Sequence, residues 1–181
     1  MKKILVVMVV VFLAGCATGG WKKSMPEEYK DAANKFSVFL PMDWMHVTGK
    51  TFIMTKDGVV LDMVLVERVR FTDKLANTKK HFTRSMLPDE LAGVEIDNYS
   101  SSQENQKFEV IDKQAETCAG QDAYRLAFRY QTKSGLWKKG LQYGFIYDGV
   151  VYRIVYEAAE QYYYQDNERA FKKFVEDFRL I

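Results

Sequence analysis

The sequence predicts an α+β domain, an antiparallel sheet of about six or seven strands with helices before, between and after it. Three observations carry this expectation. Four β-rich runs follow one another from Phe108 to Ala158, each separated from the next by a glycine-bearing turn. Asp57-Gly58 joins two further β-rich runs in the pattern of a hairpin. Near the C-terminus, Phe171, Phe174, Val175 and Phe178 fall at the i, i+3, i+4, i+7 spacing of a helix that covers a core.

Ahead of the domain, Lys2 and Lys3 precede an unbroken apolar stretch from Ile4 to Ala14. A spanning helix needs about 20 apolar residues, nearly twice this run. A core helix would show polar positions at a 3.6-residue period, and none interrupts the stretch. Two positive charges, a short apolar segment and small residues at its end form the pattern of a secretory leader. The exit sequence Leu13-Ala14-Gly15-Cys16 resembles the lipobox of bacterial lipoproteins, whose cysteine thiol is alkylated by diacylglycerol and becomes the new N-terminus. An ordinary cleaved signal with a chance cysteine is the alternative. The chain therefore divides into a lipoprotein signal peptide over 1–15, a lipidated N-terminus and short tether over 16–24, and one domain over 25–181. Palmitate-type acyl chains on Cys16 hold a protein on a bilayer stably when two or more are present, each buried methylene contributing about 0.8 kcal/mol. Ala17 stands where, by the same resemblance, an aspartate retains lipoproteins at the inner membrane of enteric-type bacteria. The expected location is the bacterial cell envelope, on the outer membrane facing the periplasm in a Gram-negative cell.

Removing Lys2 and Lys3 with the leader takes the formal charge from +2 to 0, because all 24 acidic residues lie downstream. A neutral domain lacks the basic footprint of nucleic-acid binding. Of the 2 cysteines, only Cys118 is left once Cys16 is acylated, so no internal disulfide is expected. Cys118 reads as a small buried apolar residue, with a reactive thiol as the alternative. The tether "ATGGWKK" between Cys16 and Ser24 spans at most roughly 25–30 Å at about 3.5 Å per residue. Trp21, Lys22 and Lys23 on it are candidates for contact with lipid headgroups, where each basic residue contributes about 1 kcal/mol on anionic lipid. A plain flexible linker is the other reading.

Within the domain, Ser24-Met-Pro-Glu27 has the spacing of a capping box and predicts a short helix to about Ala33. "KFSVFLP" reads as a strand stopped by Pro41. The hairpin "TFIMTKDGVVLDMVLVERVRF" follows, its second arm running from Val59 to Phe71 with apolar residues on both faces, as in a sheet covered on both sides. Thr72 to Ser85 is polar and lysine-rich, a loop or weak helix. A helix is expected from Pro88, with Asp89 and Glu90 in the first turn, where the helix dipole favours anions. "NYSSSQENQK" reads as a loop. The four strand signals then run Phe108–Thr117, Ala123–Lys133, Lys138–Tyr147 and Val150–Ala158, before a closing helix from about Asp166 to Phe178.

Three of these stretches, "FSVFLPMDW", "CAGQDAYRLAFRY" and "GFIYDGVVYRIVYEA" with its closing "FVEDFRL", resemble the PsbP-like superfamily. That superfamily includes the extrinsic PsbP subunit of the oxygen-evolving complex, Mog-type Ran-binding proteins and many bacterial lipoproteins. The resemblance covers most of residues 35–181 and implies an α/β/α sandwich, an antiparallel sheet between helices. It carries no chemistry. Ran binding does not transfer to an exported chain, and no metal-retaining residues match.

The residues themselves offer few reactive groups. His46 and His81 lie in different segments without a partner at a metal-ligand spacing, and no nucleophile elbow, Walker loop or dinucleotide fingerprint occurs. The adjacent pairs Glu27-Glu28, Asp89-Glu90 and Glu176-Asp177 do not converge, since helix neighbours point about 100° apart. No catalytic residue, metal ligand or cofactor is therefore assigned. Lys79, Lys80, His81 and Arg84 read as a solvated loop, with contact to lipid headgroups or an acidic partner as the alternative. Tyr162, Tyr163 and Tyr164 are the oddest local feature; one or two should pack under the last helix, and any left exposed marks a docking patch. The leading expectation is a non-enzymatic accessory lipoprotein, anchored in the bilayer by Cys16, that docks on an envelope protein complex. A carrier for a small apolar ligand is the alternative, and a carboxylate-based hydrolase comes last.

Overall fold

The computed structural model describes residues 20–181. Among them are the strands β1 (Lys22–Lys23), β2 (Glu28–Asp31), β3 (Phe36–Phe39), β4 (Met45–Val47), β5 (Phe52–Thr55) and β6 (Asp62–Arg70). The helix α1 (Pro88–Ser100) comes next, then β7 (Asn105–Cys118), β8 (Gln121–Thr132), β9 (Trp137–Tyr147) and β10 (Val150–Ala159). The helix α2 (Tyr163–Asp177) and the short β11 (Arg179–Leu180) close the chain. Eight strands form one antiparallel sheet in the order β1-β4-β5-β6-β10-β9-β8-β7, and a second sheet holds β11-β3-β2.

The predicted α+β class holds, with a helix on each face of the large sheet. Strand β10 shows why both faces are apolar: Tyr152, Ile154 and Tyr156 point into one core cluster and Val151 into the other. On the first side α2 lays Phe171, Phe174 and Val175 over the sheet, and the small sheet adds Phe36 and Val38. On the second side α1 contributes Leu91, Ala92 and Val94 against Tyr124, Leu126 and Phe128 of β8. The outer face of α2 carries the i, i+4 ion pairs Lys172–Glu168 and Lys173–Asp177, each at 2.9 Å.

Three local expectations need correction. The capping-box spacing at Ser24 does not start a helix. Ser24 instead donates its amide to the Trp44 carbonyl at 2.8 Å, and Glu28–Asp31 is a strand paired with β3. Asp31 is buried and accepts Asn34 N at 2.9 Å and Asn34 Nδ2 at 3.1 Å, closing the β2–β3 turn, while Tyr29 packs on Phe36 and Phe52. The domain consequently has no helix before its sheet among the described residues.

The Asp57-Gly58 turn is wider than a tight hairpin. Leu61 and Asp62 both donate their amides to the Gly58 carbonyl, at 2.8 and 3.0 Å, so the second arm starts at Asp62 and leaves Val59 and Val60 exposed. The buried Asp62 carboxylate organises the loop. It accepts Lys56 N at 3.0 Å, Asp57 N at 2.8 Å and Thr55 Oγ1 at 2.8 Å. Finally, α1 runs through Asn98-Tyr99-Ser100, shortening the loop expected there.

The four long strands lie where the β-rich runs predict them. Their turns at Ala119-Gly120 and Asp148-Gly149 carry positive φ at both central residues, the backbone that matches the right-handed twist of a hairpin. The strand total exceeds the expected six or seven because β1, β2, β4 and β11 are only two to four residues long.

Candidate functional site

Cys16 lies outside the described residues. The segment that follows is folded closer to it than a loose tether would be: β1 pairs Lys22 with His46 and Lys23 with Met45, so the sheet begins at residue 22. Trp21 is 45 % exposed at this edge. Lys23 Nζ meets Asp43 Oδ1 at 2.7 Å, and both side chains are well exposed. Lys22, Lys23, Met25, Tyr29, Leu40 and His46 line a groove of about 340 Å³ at this edge.

His46 is buried there, edge-on to Tyr29 with ring centroids 4.9 Å apart, and its Nδ1 has no hydrogen-bond partner among the described residues. Burial lowers its pKa below the ordinary 6.5, the Lys22 charge adds to that effect, and Asp31 opposes it. The unfolded chain takes up the proton at its ordinary value while the folded state resists. His46 therefore contributes stability that is present above about pH 6.5 and is lost as pH falls through the folded value. A urea midpoint that declines from about pH 7 to about pH 5.5 in the wild type, and declines less in His46→Gln, is the expected result.

The three tyrosines do not act as one patch. Tyr164 is buried, stacked on Tyr156 at 5.3 Å, and Tyr163 is half-buried. The Tyr156 hydroxyl donates towards the Tyr163 and Tyr164 carbonyls, 3.0 Å from each, tying the first turn of α2 to β10. Only Tyr162 projects, 75 % exposed, from a backbone at φ 70° that non-glycine residues rarely adopt. These residues link β10 to α2, on elements separate from β1.

A groove of about 610 Å³ lies between the β7–β8 turn and α2. Cys118 and Tyr143 line it, along with four charged residues, Glu116, Lys172, Glu176 and Arg179. Although Cys118 borders this groove, it is only 2 % exposed. Burial, with Glu116 nearby, pushes the thiol up to about 12. Thiolate is the reactive form, and at pH 8 such a group is about 10⁻⁴ ionised. Alkylation of the Cys118 peptide, followed by mass spectrometry, should be slower by orders of magnitude in the native protein than in urea.

The most charged interior cluster was not anticipated from the sequence. Glu95 on α1 is fully buried and faces Arg153 on β10, with Nη2 to Oε2 at 3.0 Å and Nε to Oε1 at 2.7 Å. Arg153 also donates to Glu67 Oε2 on β6 at 2.8 Å. Gln142 donates to the Tyr124 hydroxyl at 2.6 Å, and Tyr130 donates to Glu157 at 2.8 Å. Burial raises the Glu95 pKa and the Arg153 charge opposes the rise. Burial works against the Arg153 charge too, but Glu95 and its neighbours outweigh it and hold the guanidinium above its ordinary value. One legible signal pointed here: Glu95 sits four residues after Leu91 and three before Asn98, on the stripe that α1 buries. The pair ties α1 to β10, although Glu95 Oε1 and Arg153 Nε, 2.7 Å apart, are not aligned for a hydrogen bond with each other. Among the described residues, no three His, Cys, Asp or Glu side chains gather as metal ligands.

Comparison with known proteins agrees with this architecture. The PsbP family model matches residues 25–180. Among solved structures, the chain is similar to CyanoP, the cyanobacterial PsbP of Synechocystis sp. PCC 6803, at 15 % identity and a TM-score of 0.60, over 92 % of this chain and 96 % of that one. It is also similar to the Ran-binding protein Mog1p of Saccharomyces cerevisiae, at 8 % identity and a TM-score of 0.58, over 87 % and 96 % of the two chains. At such identities the likeness concerns the fold alone. No curated protein matches the sequence. With the family model spanning nearly the whole sheet-and-helix unit, the chain belongs to the PsbP family.

Proposed function

We propose that the protein is a membrane-anchored, non-enzymatic accessory lipoprotein of the bacterial cell envelope, held by acyl chains on Cys16 and docking on a protein complex. The observation that carries this reading is a spacing: the lipobox cysteine stands only six residues ahead of Lys22, where the sheet begins. At about 3.5 Å per residue the folded unit is held within roughly 20 Å of its anchor. Such a chain works on what the membrane surface presents to it. No helix among the described residues is long and apolar enough to cross a membrane, so attachment in this reading falls to the acyl chains. A fold shared with a protein described as Ran-binding is in keeping with a binding scaffold. The outer edge of β7, exposed through most of its 14 residues and carrying Val110 and Ile111 in the open, is the sheet edge available for docking.

The carrier reading has less support, since the 610 Å³ groove presents four charged side chains and suits a small apolar ligand poorly. The test combines metabolic palmitate labelling with photo-crosslinking from Ile111 in intact cells. Palmitate should label the wild type and not Cys16→Ser, and the crosslinker should give one reproducible adduct that is lost with Cys16→Ser. An unlabelled wild-type chain, or no reproducible adduct from the acylated protein, overturns the reading.

A further inference from the structure

We propose that the end of the large sheet from which the tether leaves, where Lys50, Arg70, Lys74 and Arg84 gather, is a docking surface for anionic lipid headgroups and stands the anchored protein end-on to the membrane. The inference rests on the lipid anchoring proposed above. Register fixes where the tether leaves. Strand β1 runs antiparallel to β4, with Lys23 opposite Met45 and Lys22 opposite His46, so the chain ahead of Lys22 continues beside Val47 and the β4–β5 turn. Gly20 accordingly lines a groove together with Val47 and Thr48. Lys50 stands exposed in that turn.

Strand pairing brings the other cations to the same end. Phe52 pairs with Val66, so the β4–β5 turn lies beside the last residues of β6, which ends at Arg70. Hydrogen bonds from Arg70 hold the Asp73 carboxyl below its ordinary value, and the Lys50 charge adds to the effect from across the gap. Lys74 follows, exposed. Arg70 also stands opposite Val150, the first residue of β10, and the Arg84 guanidinium lies 3.8 Å from where a Cβ on Gly149 would be. The acids at this end are Asp31, which is buried, Asp73, which pairs with Arg70, and Asp148, which meets Lys35 at 2.9 Å. Asp89 and Glu90, the next acids along the chain from Arg84, are taken up by Lys113 and by the Leu87 amide. Lys50, Lys74 and Arg84 are left without an ion pair among the described residues. At the other end of the sheet Asp57 and Glu160 occupy the β5–β6 turn and the link from β10 to α2.

The occupant follows from charge and from where the chain leads. Cys16 is four residues from Gly20, so the exit end is held within about 14 Å of the acylated residue. The opposite end lies a strand's length away, about 30 Å for the 9 residues of β6. Of the two ends, the tether therefore keeps the cationic one at the bilayer, where headgroup phosphates are the polyanion always at hand. An acidic protein would meet the same charges, but the position of the tether selects the lipid. Each basic residue brought to an anionic surface favours the contact about fivefold. The anchor makes that contact intramolecular, so an attraction too weak to recruit the free domain suffices to orient the tethered one.

The test uses the full acylated protein on vesicles of phosphatidylcholine and phosphatidylglycerol. A fluorophore is placed at Thr72→Cys, beside the cations, and separately at Gln161→Cys, at the opposite end; both positions are exposed. Cys118 is buried and Cys16 acylated, so the introduced thiol takes the label. A nitroxide on the lipid headgroup quenches only fluorophores close to it. Quenching should be strong at 72 and weak at 161, and should fade at 1 M salt, where the screening length falls to about 3 Å. In the triple variant Lys50→Gln, Lys74→Gln, Arg84→Gln the ratio of lipid-facing to free orientations should fall about a hundredfold, three charges at about fivefold each. Pure phosphatidylcholine should have the same effect on the wild type. Vesicle-bound protein quenched equally at 72 and 161 overturns the inference and leaves the anchoring intact. Quenching at 72 that survives the triple variant or pure phosphatidylcholine overturns it as well. A basic end that stays unquenched on anionic vesicles, yet crosslinks to a protein in intact cells, assigns the surface to an acidic partner and overturns the lipid assignment. Protein that fails to float with the vesicles overturns both the anchoring and the inference.

Discussion

Gly140→Ala should cost about 3 kcal/mol of folding stability, the upper end of what overpacking a well-filled core usually costs. A Cβ at Gly140 would stand 2.2 Å from Phe128 Cζ and 2.5 Å from Cε2. The ring has nowhere to retreat: Tyr99 lies 4.5 Å away on one side, with Phe108 at 5.7 Å and Tyr130 at 6.3 Å. The register sets β9 glycines directly opposite aromatic residues of β8, Gly140 against Phe128 and Gly144 against Tyr124. At Gly144 the added carbon would come within 2.4 Å of the Tyr124 ring and hydroxyl, which is fixed by Gln142. Gly144→Ala should therefore fall in the same range. In the Phe128→Leu background Gly140→Ala should lose less, because the two positions compete for one volume, with a coupling of about 1–3 kcal/mol. Urea unfolding followed by far-UV circular dichroism measures each value. Single variants within about 0.5 kcal/mol of wild type, the usual surface effect, would show that the rings move freely.

Arg153→Met should destabilise the protein by about 3–5 kcal/mol, because it strands a charge that has no route to water. Glu95 is 0 % exposed, and its ion pair with Arg153 is what opposes the burial penalty. The deficit has a definite pH dependence. Burial raises the Glu95 pKa above its ordinary 4.5, and removing Arg153 removes the opposing influence. An acid whose folded pKa is raised favours the folded state below its unfolded pKa and loses that advantage as pH rises through the folded value. The Arg153→Met deficit should thus be smaller at about pH 5 than at about pH 8. The double variant Glu95→Leu with Arg153→Met should recover much of the loss, since an apolar pair of similar volume often replaces a buried ion pair without penalty. A double variant as unstable as the single one would mean that Arg153 acts through its packing instead.

Much of this architecture is written in short windows of sequence. Strands β7 to β10 are long enough for β-rich composition and glycine turns to mark both ends, and their observed bounds fall within a few residues of those signals. Pro88 marks the start of α1, and the phenylalanine stripe marks the buried face of α2. The same local reading failed at Ser24-Met-Pro-Glu27. There a capping pattern was overridden by pairing with β3, a contact that no window of a few residues contains.

The candidate sites were less legible for the same reason. Glu95 and Arg153 are 58 residues apart, and only the packing of α1 on β10 turns two ordinary charges into a buried pair. The Cys118 thiol is held in its neutral form by the burial that surrounds it, which only the packed sheet and α2 create. The sequence by itself determined the order and kind of the long elements and the near balance of its acidic and basic residues. The tertiary structure alone decided which groups meet, because burial and proximity arise from pairings between distant segments, and local composition is blind to them.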